Sequence, residues 1–256
     1  MNSKIKGTIC GIFAAISYGM NPLGALNLYQ EGLNVNSVIF YRYGLATTIL
    51  ALIMLAQKKS FAITRREFAV LSVLGVLMVV SSLTLFGSFN FMDAGIASTL
   101  LFVYPVMVAV MMAIFFKEKV TPITVISNAL ALGGISLLYK GGDGATLSTV
   151  GVLLVMASSL TYAVYIIVVN KSALIMSSVK LTFYVLLIGT VILIAYSFVG
   201  EDTRIQPLTT VSMWVYAMVL AVFPTIISLI LMVIAVHNVG STPTAVMGAL
   251  EPITAV

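Results

Sequence analysis

Apolar runs of about 20 residues recur along the whole chain, at roughly 7–29, 36–56, 68–91, 95–116, 122–139, 149–170, 180–199 and 213–236. A ninth begins near residue 241. About 20 apolar residues is the length an α-helix needs to cross the ~30 Å hydrocarbon layer of a bilayer. Lipid offers no water to backbone polar groups, so each run must close its hydrogen bonds within a helix. Composition agrees, with 61% hydrophobic and only 8% charged residues, against roughly 25% charged in soluble domains. The expected class is an all-α polytopic membrane protein with short connections between spans.

Charge gives the expected orientation. With the N-terminus in the cytoplasm and spans alternating, Lys4, Lys6, Lys58, Lys59, Arg65, Arg66, Lys117, Lys119, Lys171 and Lys180 fall inside. Only Lys140 and Arg204 fall outside, and Arg42 lies within a span. Acids show the reverse bias, with Glu31, Asp93, Asp143, Glu201 and Asp202 outside and Glu67 and Glu118 inside. Excess cytoplasmic Lys and Arg is the usual determinant of topology. The net charge of +5 is therefore assigned to loops rather than to nucleic-acid binding. Lys4 and Lys6 precede an apolar run with no clear cleavage site, so this run is read as a retained first span. Cys10 is the single cysteine, which excludes an internal disulfide. The chain has no GxxxxGK[ST] loop, no HExxH and no Cys/His cluster. ATP hydrolysis, a metal site, a cofactor and catalytic residues are accordingly not expected.

The chain also reads as one unit written twice. Residues 90–109, NFMDAGIASTLLFVYPVMVA, share a layout with 237–256, HNVGSTPTAVMGALEPITAV. Fifteen residues separate Asn90 from Pro105, and fifteen separate His237 from Pro252. Residues 7–18 (GTICGIFAAISY) and 151–162 (GVLLVMASSLTY) both start with Gly and end in a hydroxyl residue and Tyr. Units of five spans are odd, so the second copy enters the membrane from the opposite side. The expected organisation is an inverted repeat, with a first unit over 1–140 and a second over 147–256. Inverted repeats of this kind build secondary transporters, with the substrate site near the midplane. A chain cannot end in lipid with its last carbonyls unsatisfied. Val256 would lie about 24 Å into span nine. The natural protein is therefore expected to continue through span nine and a tenth span.

These residues resemble a known family. The stretch Ala15-Ile16-Ser17-Tyr18-Gly19-Met20-Asn21 in span one is similar to the small-residue, aromatic-Gly-x-Asn stretch of the drug/metabolite transporter superfamily, specifically its EamA-type ten-helix exporters. Tyr41-Arg42-Tyr43 matches the Arg-aromatic pair of span two. Residues 94–105 followed by Phe116-Lys117-Glu118 resemble the small-residue run, proline and Glu of span four. Gly133-Gly134-Ile135 fits the glycines of span five, Tyr162-Ala163-Val164-Tyr165 the aromatic-Ala-x-Tyr motif of span six, and 240–252 the Leu-Glu-Pro stretch of span nine. The resemblance implies ten helices around a central cavity and export of amino acids, metabolites or drugs.

Candidate site residues follow from depth and spacing. Glu251 is expected ~15 Å into span nine, where an ionisable group is costly and usually faces a cavity or a partner. It is a candidate coupling carboxylate, or a structural acid bonded to a neighbouring helix. The first unit has Tyr104 at the matching place, which breaks the symmetry there. Arg42 is a candidate ligand for a substrate carboxylate; its shallow position favours snorkelling to the outer headgroups or pairing with an outer acid. Tyr18, Asn21, Tyr162 and Tyr165 lie in the equivalent spans one and six, and Tyr162 and Tyr165 share a helix face. They are expected to line the cavity with Arg42 and Tyr104, or else to join helices or form an interfacial belt. Pro22 should interrupt span one and free carbonyls. His237, the only histidine, is expected as a water-exposed residue at a helix end. Asn170-Lys171-Ser172 fits a sequon but falls on the expected inner side.

The sequence therefore points to a secondary transporter of the inner membrane. It would move a small metabolite, amino acid or drug outward by alternating access. Proton coupling rests on Glu251 alone, and uncoupled export fits equally well. The edge spans five and ten would be scaffold or a homodimer contact. The alternative class is a flippase-like lipid-handling subunit or a membrane enzyme, for which no cluster of catalytic groups is found.

Overall fold

The computed structural model describes residues 3–118, 126, 129, 133, 148–172, 174–251 and 254. Among them the chain is all-helical. Seven helical stretches among the described residues are long and apolar enough to cross a membrane. Span one is α1 (Ser3–Gly19) and α2 (Asn21–Gln30); spans two and three are α3 (Val35–Ala56) and α4 (Arg65–Ser88). Span four is α5 (Ala94–Leu101) and α6 (Tyr104–Phe116). Spans six and seven are α7 (Thr149–Lys171) and α8 (Ser178–Tyr196). Span eight is α9 (Val211–Ala221), a π-helical turn (Val222–Ile227) and α10 (Ser228–Val239). The ninth stretch begins as α11 (Ser241–Met247) and tightens into a 3₁₀ turn, Gly248–Leu250. The expected span five, 122–139, lies almost entirely outside the described residues, as do Pro252, Lys119, Lys140 and the turn 141–144.

Four of these stretches are interrupted, and proline accounts for three of the interruptions. Proline removes an N–H and crowds the carbonyl four residues back. Pro22 sits in the first turn of α2, just after the break at Met20, and Pro105 sits in the first turn of α6. Both take the position where a missing N–H costs nothing. Pro224 lies inside the π turn of span eight. The loops, in turn, are punctuated by side-chain caps. Asn34, Thr64, Asp93, Ser148, Ser177 and Thr210 each accept a backbone N–H at a helix start, and Thr64 with Glu67 completes a capping box. A cap of this kind is worth about 1 kcal/mol.

The basic segments share one end of the bundle. Lys180 donates to the Ala62 carbonyl at 2.6 Å, Lys171 lies 4.7 Å from the Phe116 ring centre, and Ser3 donates to Asn238. At the other end Asn34 donates to the Arg204 carbonyl at 2.7 Å and Asn36 to that of Thr203 at 2.6 Å. Helices of the two sequence halves interleave: α1 packs on α10, α4 on α7 and α8, α3 on α8, and α6 on α7. Serines let backbones approach and bond across the contact. Ser81 and Ser158 hydroxyls lie 3.1 Å apart between α4 and α7, and Ser159 donates to the Leu101 carbonyl at the break in span four. The opposite faces carry exposed Leu55, Phe68, Ile114, Phe115 and Leu153. That apolar outer surface is what a bilayer covers.

Candidate functional site

The interruptions bring a row of aromatic side chains to the middle of the bundle. Tyr18 on α1 stacks on Tyr162 of α7, with ring centres 5.5 Å apart and planes 11° from parallel. Tyr162 stacks on Tyr165 at 6.1 Å, the two being one turn apart on α7. Tyr104, at the restart of span four, meets the Tyr162 ring edge-on at 5.0 Å. All four tyrosines are buried. Offset and edge-on pairs suit ring quadrupoles and add roughly 0.5–1.5 kcal/mol each beyond burial.

One end of the row is Arg42. Its guanidinium carbon lies 5.9 Å from the Tyr18 ring centre, 5.8 Å from that of Tyr43 and 5.3 Å from that of Phe86. Nε donates to the Thr225 hydroxyl at 2.6 Å, and Nη2 to the Pro224 carbonyl at 3.3 Å. Arg42 is 0% exposed. The expected snorkelling does not occur. No acid among the described residues pairs with it either, since the one ion pair there is Arg204 with Glu201, at 3.8 Å on the surface. The reason is span eight: its π turn brings acceptors to α3, which sequence depth alone does not reveal. Nη1 is buried without a hydrogen-bond partner among the described residues.

The other end is Glu251. Tyr104 donates to Glu251 Oε1 at 2.9 Å, and the acid is 5% exposed. The two residues expected at matching places of the two units are thus in direct contact. Gly248 makes this possible, because a Cβ there would overlap the Tyr104 hydroxyl and lie 3.2 Å from Oε1. Tyr104, Tyr162, Gly248 and Glu251 also border a small void, with Ser228 and Thr244 among its polar lining. It has room for about one water molecule.

Asn21, at the break in span one, is 3% exposed, and neither amide atom has a partner among the described residues. Gly24, one turn further on, abuts Leu220, just before the π turn. His237 is exposed at the end of α10, as expected. A separate cavity of about 500 Å³ opens at the less basic end, bordered by Tyr29, Asn34, Asn36, Asn90 and Asp202. Tyr29 donates to the carbonyl of Phe86, whose ring faces Arg42. The cavity wall is therefore bonded to the residue beside the buried cation. Sequence reasoning noted Tyr43 only as part of a motif, and missed Phe86, Thr225 and Ser228. The available signal was Pro224-Thr225 in the middle of a 29-residue apolar stretch, where a helix breaker beside a hydroxyl marks freed backbone acceptors.

Comparison with known proteins agrees with this architecture. The model of the EamA-like transporter family matches residues 5–140 and again 149–256. A polytopic helical bundle with a buried polar row thus meets a family defined by membrane transport, and the chain belongs to the EamA-like transporter family. A relative in Bacillus subtilis (strain 168), the uncharacterized transporter YvbV, is 27% identical over 113 residues. That match covers 44% of this chain and 37% of the relative. A solved structure described as "Crystal structure of protein" superposes with a TM-score of 0.78 at 14% identity, covering 98% of this chain and 86% of the other. At that identity the likeness concerns the fold.

Proposed function

We propose that the protein is a secondary exporter that moves a small metabolite, amino acid or drug across the inner membrane by alternating access, with its N-terminus in the cytoplasm. The observation that carries this reading is the tyrosine row with Arg42 at one end and Glu251 at the other, set where helices are interrupted. Polar groups at membrane depth are costly and mark solute or ion paths, and interrupted helices supply such sites near the midplane. The candidate contacts are Tyr18, Asn21, Arg42, Tyr104, Tyr162 and Tyr165. Glu251 is the candidate coupling group, taking up a proton when Tyr104 and the solute release it.

The inverted repeat of five and five spans expected from the sequence would provide two-state rocking. Packing of span one on span eight and of span six on span three supports it. The edge spans five and ten would be scaffold or a homodimer contact. Reconstitution into liposomes, with counterflow of amino acids and cationic drugs and with or without a pH gradient, tests the reading. Exchange of at least one solute is expected. No counterflow of any solute across the panel would overturn it.

A further inference from the structure

Arg42 raises a question that solute export in general does not answer. A buried cation without a counter-charge costs several kcal/mol. Two of its nitrogens are engaged by uncharged oxygens of span eight, and Nη1 is left without a partner among the described residues. The surroundings fix this arrangement. Pro224 has no N–H to offer the Leu220 carbonyl four residues back. The Thr225 hydroxyl takes that carbonyl instead, donating to it at 2.7 Å. A threonine hydroxyl has one hydrogen. With it committed to Leu220, only its lone pairs can face Arg42, so it accepts from Nε at 2.6 Å. The Pro224 carbonyl accepts from Nη2 on the same side. The guanidinium is planar and its donors form a rigid fork. Fixing Nε and Nη2 therefore fixes the direction of the remaining N–H groups. Tyr18, Tyr43 and Phe86 surround the cation and exclude water from it.

We propose that the central site recognises its solute through a carboxylate head taken by the free guanidinium nitrogen of Arg42, and that Thr225 with the Pro224 carbonyl is the element that positions Arg42 for it. This rests on the transport reading. A single negative charge matches the one buried cation without a counter-charge among the described residues. A dianion would leave an excess negative charge in a buried site. Thr225 is a positioning residue: it contacts Arg42, and Arg42 contacts the solute. Because the π turn joins α9 to α10 while Arg42 belongs to α3, a carboxylate that draws on the guanidinium also pulls on the contact between the two sequence halves.

The test uses acid–amide pairs. The purified protein in detergent is heated with phenylacetate, L-phenylalanine or L-leucine, each against its amide, and the same pairs are offered in counterflow in proteoliposomes. At least one acid should raise Tm while its amide does not. Thr225→Val should weaken binding of that acid about tenfold, the scale of one hydrogen bond to a charged group, and shrink the acid–amide preference. Thr225→Ser, which restores the hydroxyl, should restore both. Arg42→Lys keeps the charge but loses the fork, and should lose the preference while remaining folded. The inference is overturned if no acid in the panel stabilises the protein, if amides bind as well as acids, or if Thr225→Val keeps the full preference. Counterflow without acid preference would remove this inference and leave transport standing. Stabilisation by an acid with no counterflow of any solute would remove transport and leave the carboxylate site standing.

Discussion

The two ends of the tyrosine row solve the same problem differently. Both bury an ionisable side chain inside a helical bundle. At Arg42 the charge is permanent, and it is held by two oxygens of a proline-induced turn and by three aromatic faces. At Glu251 the acid has one tyrosine hydroxyl as its side-chain partner among the described residues and borders a void of about one water. One end is clamped by fixed dipoles; the other is held by a single side-chain hydrogen bond among the described residues. In the proposed transport cycle the clamped cation would take an anionic head, and the lightly held acid would serve as the switch.

The largest break in this comparison comes from Arg42→Met. Transport should fall roughly 100-fold, the scale of losing 2–5 kcal/mol at a buried charge contact. Folded yield and Tm should stay close to the parent's, because an apolar side chain in place of a buried charge is often neutral. Proteoliposome uptake beside a melting curve checks both, and a collapse of folded yield would make Arg42 structural. Next is Glu251→Gln, which keeps an acceptor for the Tyr104 hydroxyl but cannot release a proton. The response of transport to a pH gradient should disappear while folded protein remains; an unchanged response would sink the coupling role. Gly248→Ala should cost about 1–3 kcal/mol by overpacking, since the new Cβ would press on Tyr104 and Glu251. Denaturation of the purified variant measures it, and a neutral result would mean the Tyr104–Glu251 contact is loose. The smallest effect is expected from Ser81→Ala at the α4–α7 contact. About 0.6 kcal/mol should be lost, the average for such bonds between membrane helices, with transport kept. A large loss of transport there would move the functional centre away from the row.

Much of the helical layout was legible because lipid allows so few backbone solutions. A run of apolar residues must be a helix there, and seven of the expected spans agree with the observed ones apart from a few residues at their ends. Pro22 marked a break in advance, since proline disrupts a helix wherever it lies; Pro105 does the same in span four, which was expected as one continuous run. Tyr18, Tyr162 and Tyr165 could be grouped from their spacing. Their stacking partners could not, because a ring contact depends on which helix faces which. Arg42 shows the limit most clearly. Depth in its own span pointed to the headgroups, but the side chain turns to acceptors 182 and 183 residues away in sequence.

By itself the sequence determined the membrane class, the seven described spans, the clustering of cations at one end and the proline positions. Each of these follows from local chemistry: hydrophobic length, the charge of loops, a missing N–H. Only the tertiary structure decided that Tyr104 meets Glu251, that Thr225 holds Arg42, and that the tyrosines line up between them. Those contacts join residues far apart in sequence, and their geometry is set by how helices from the two halves pack.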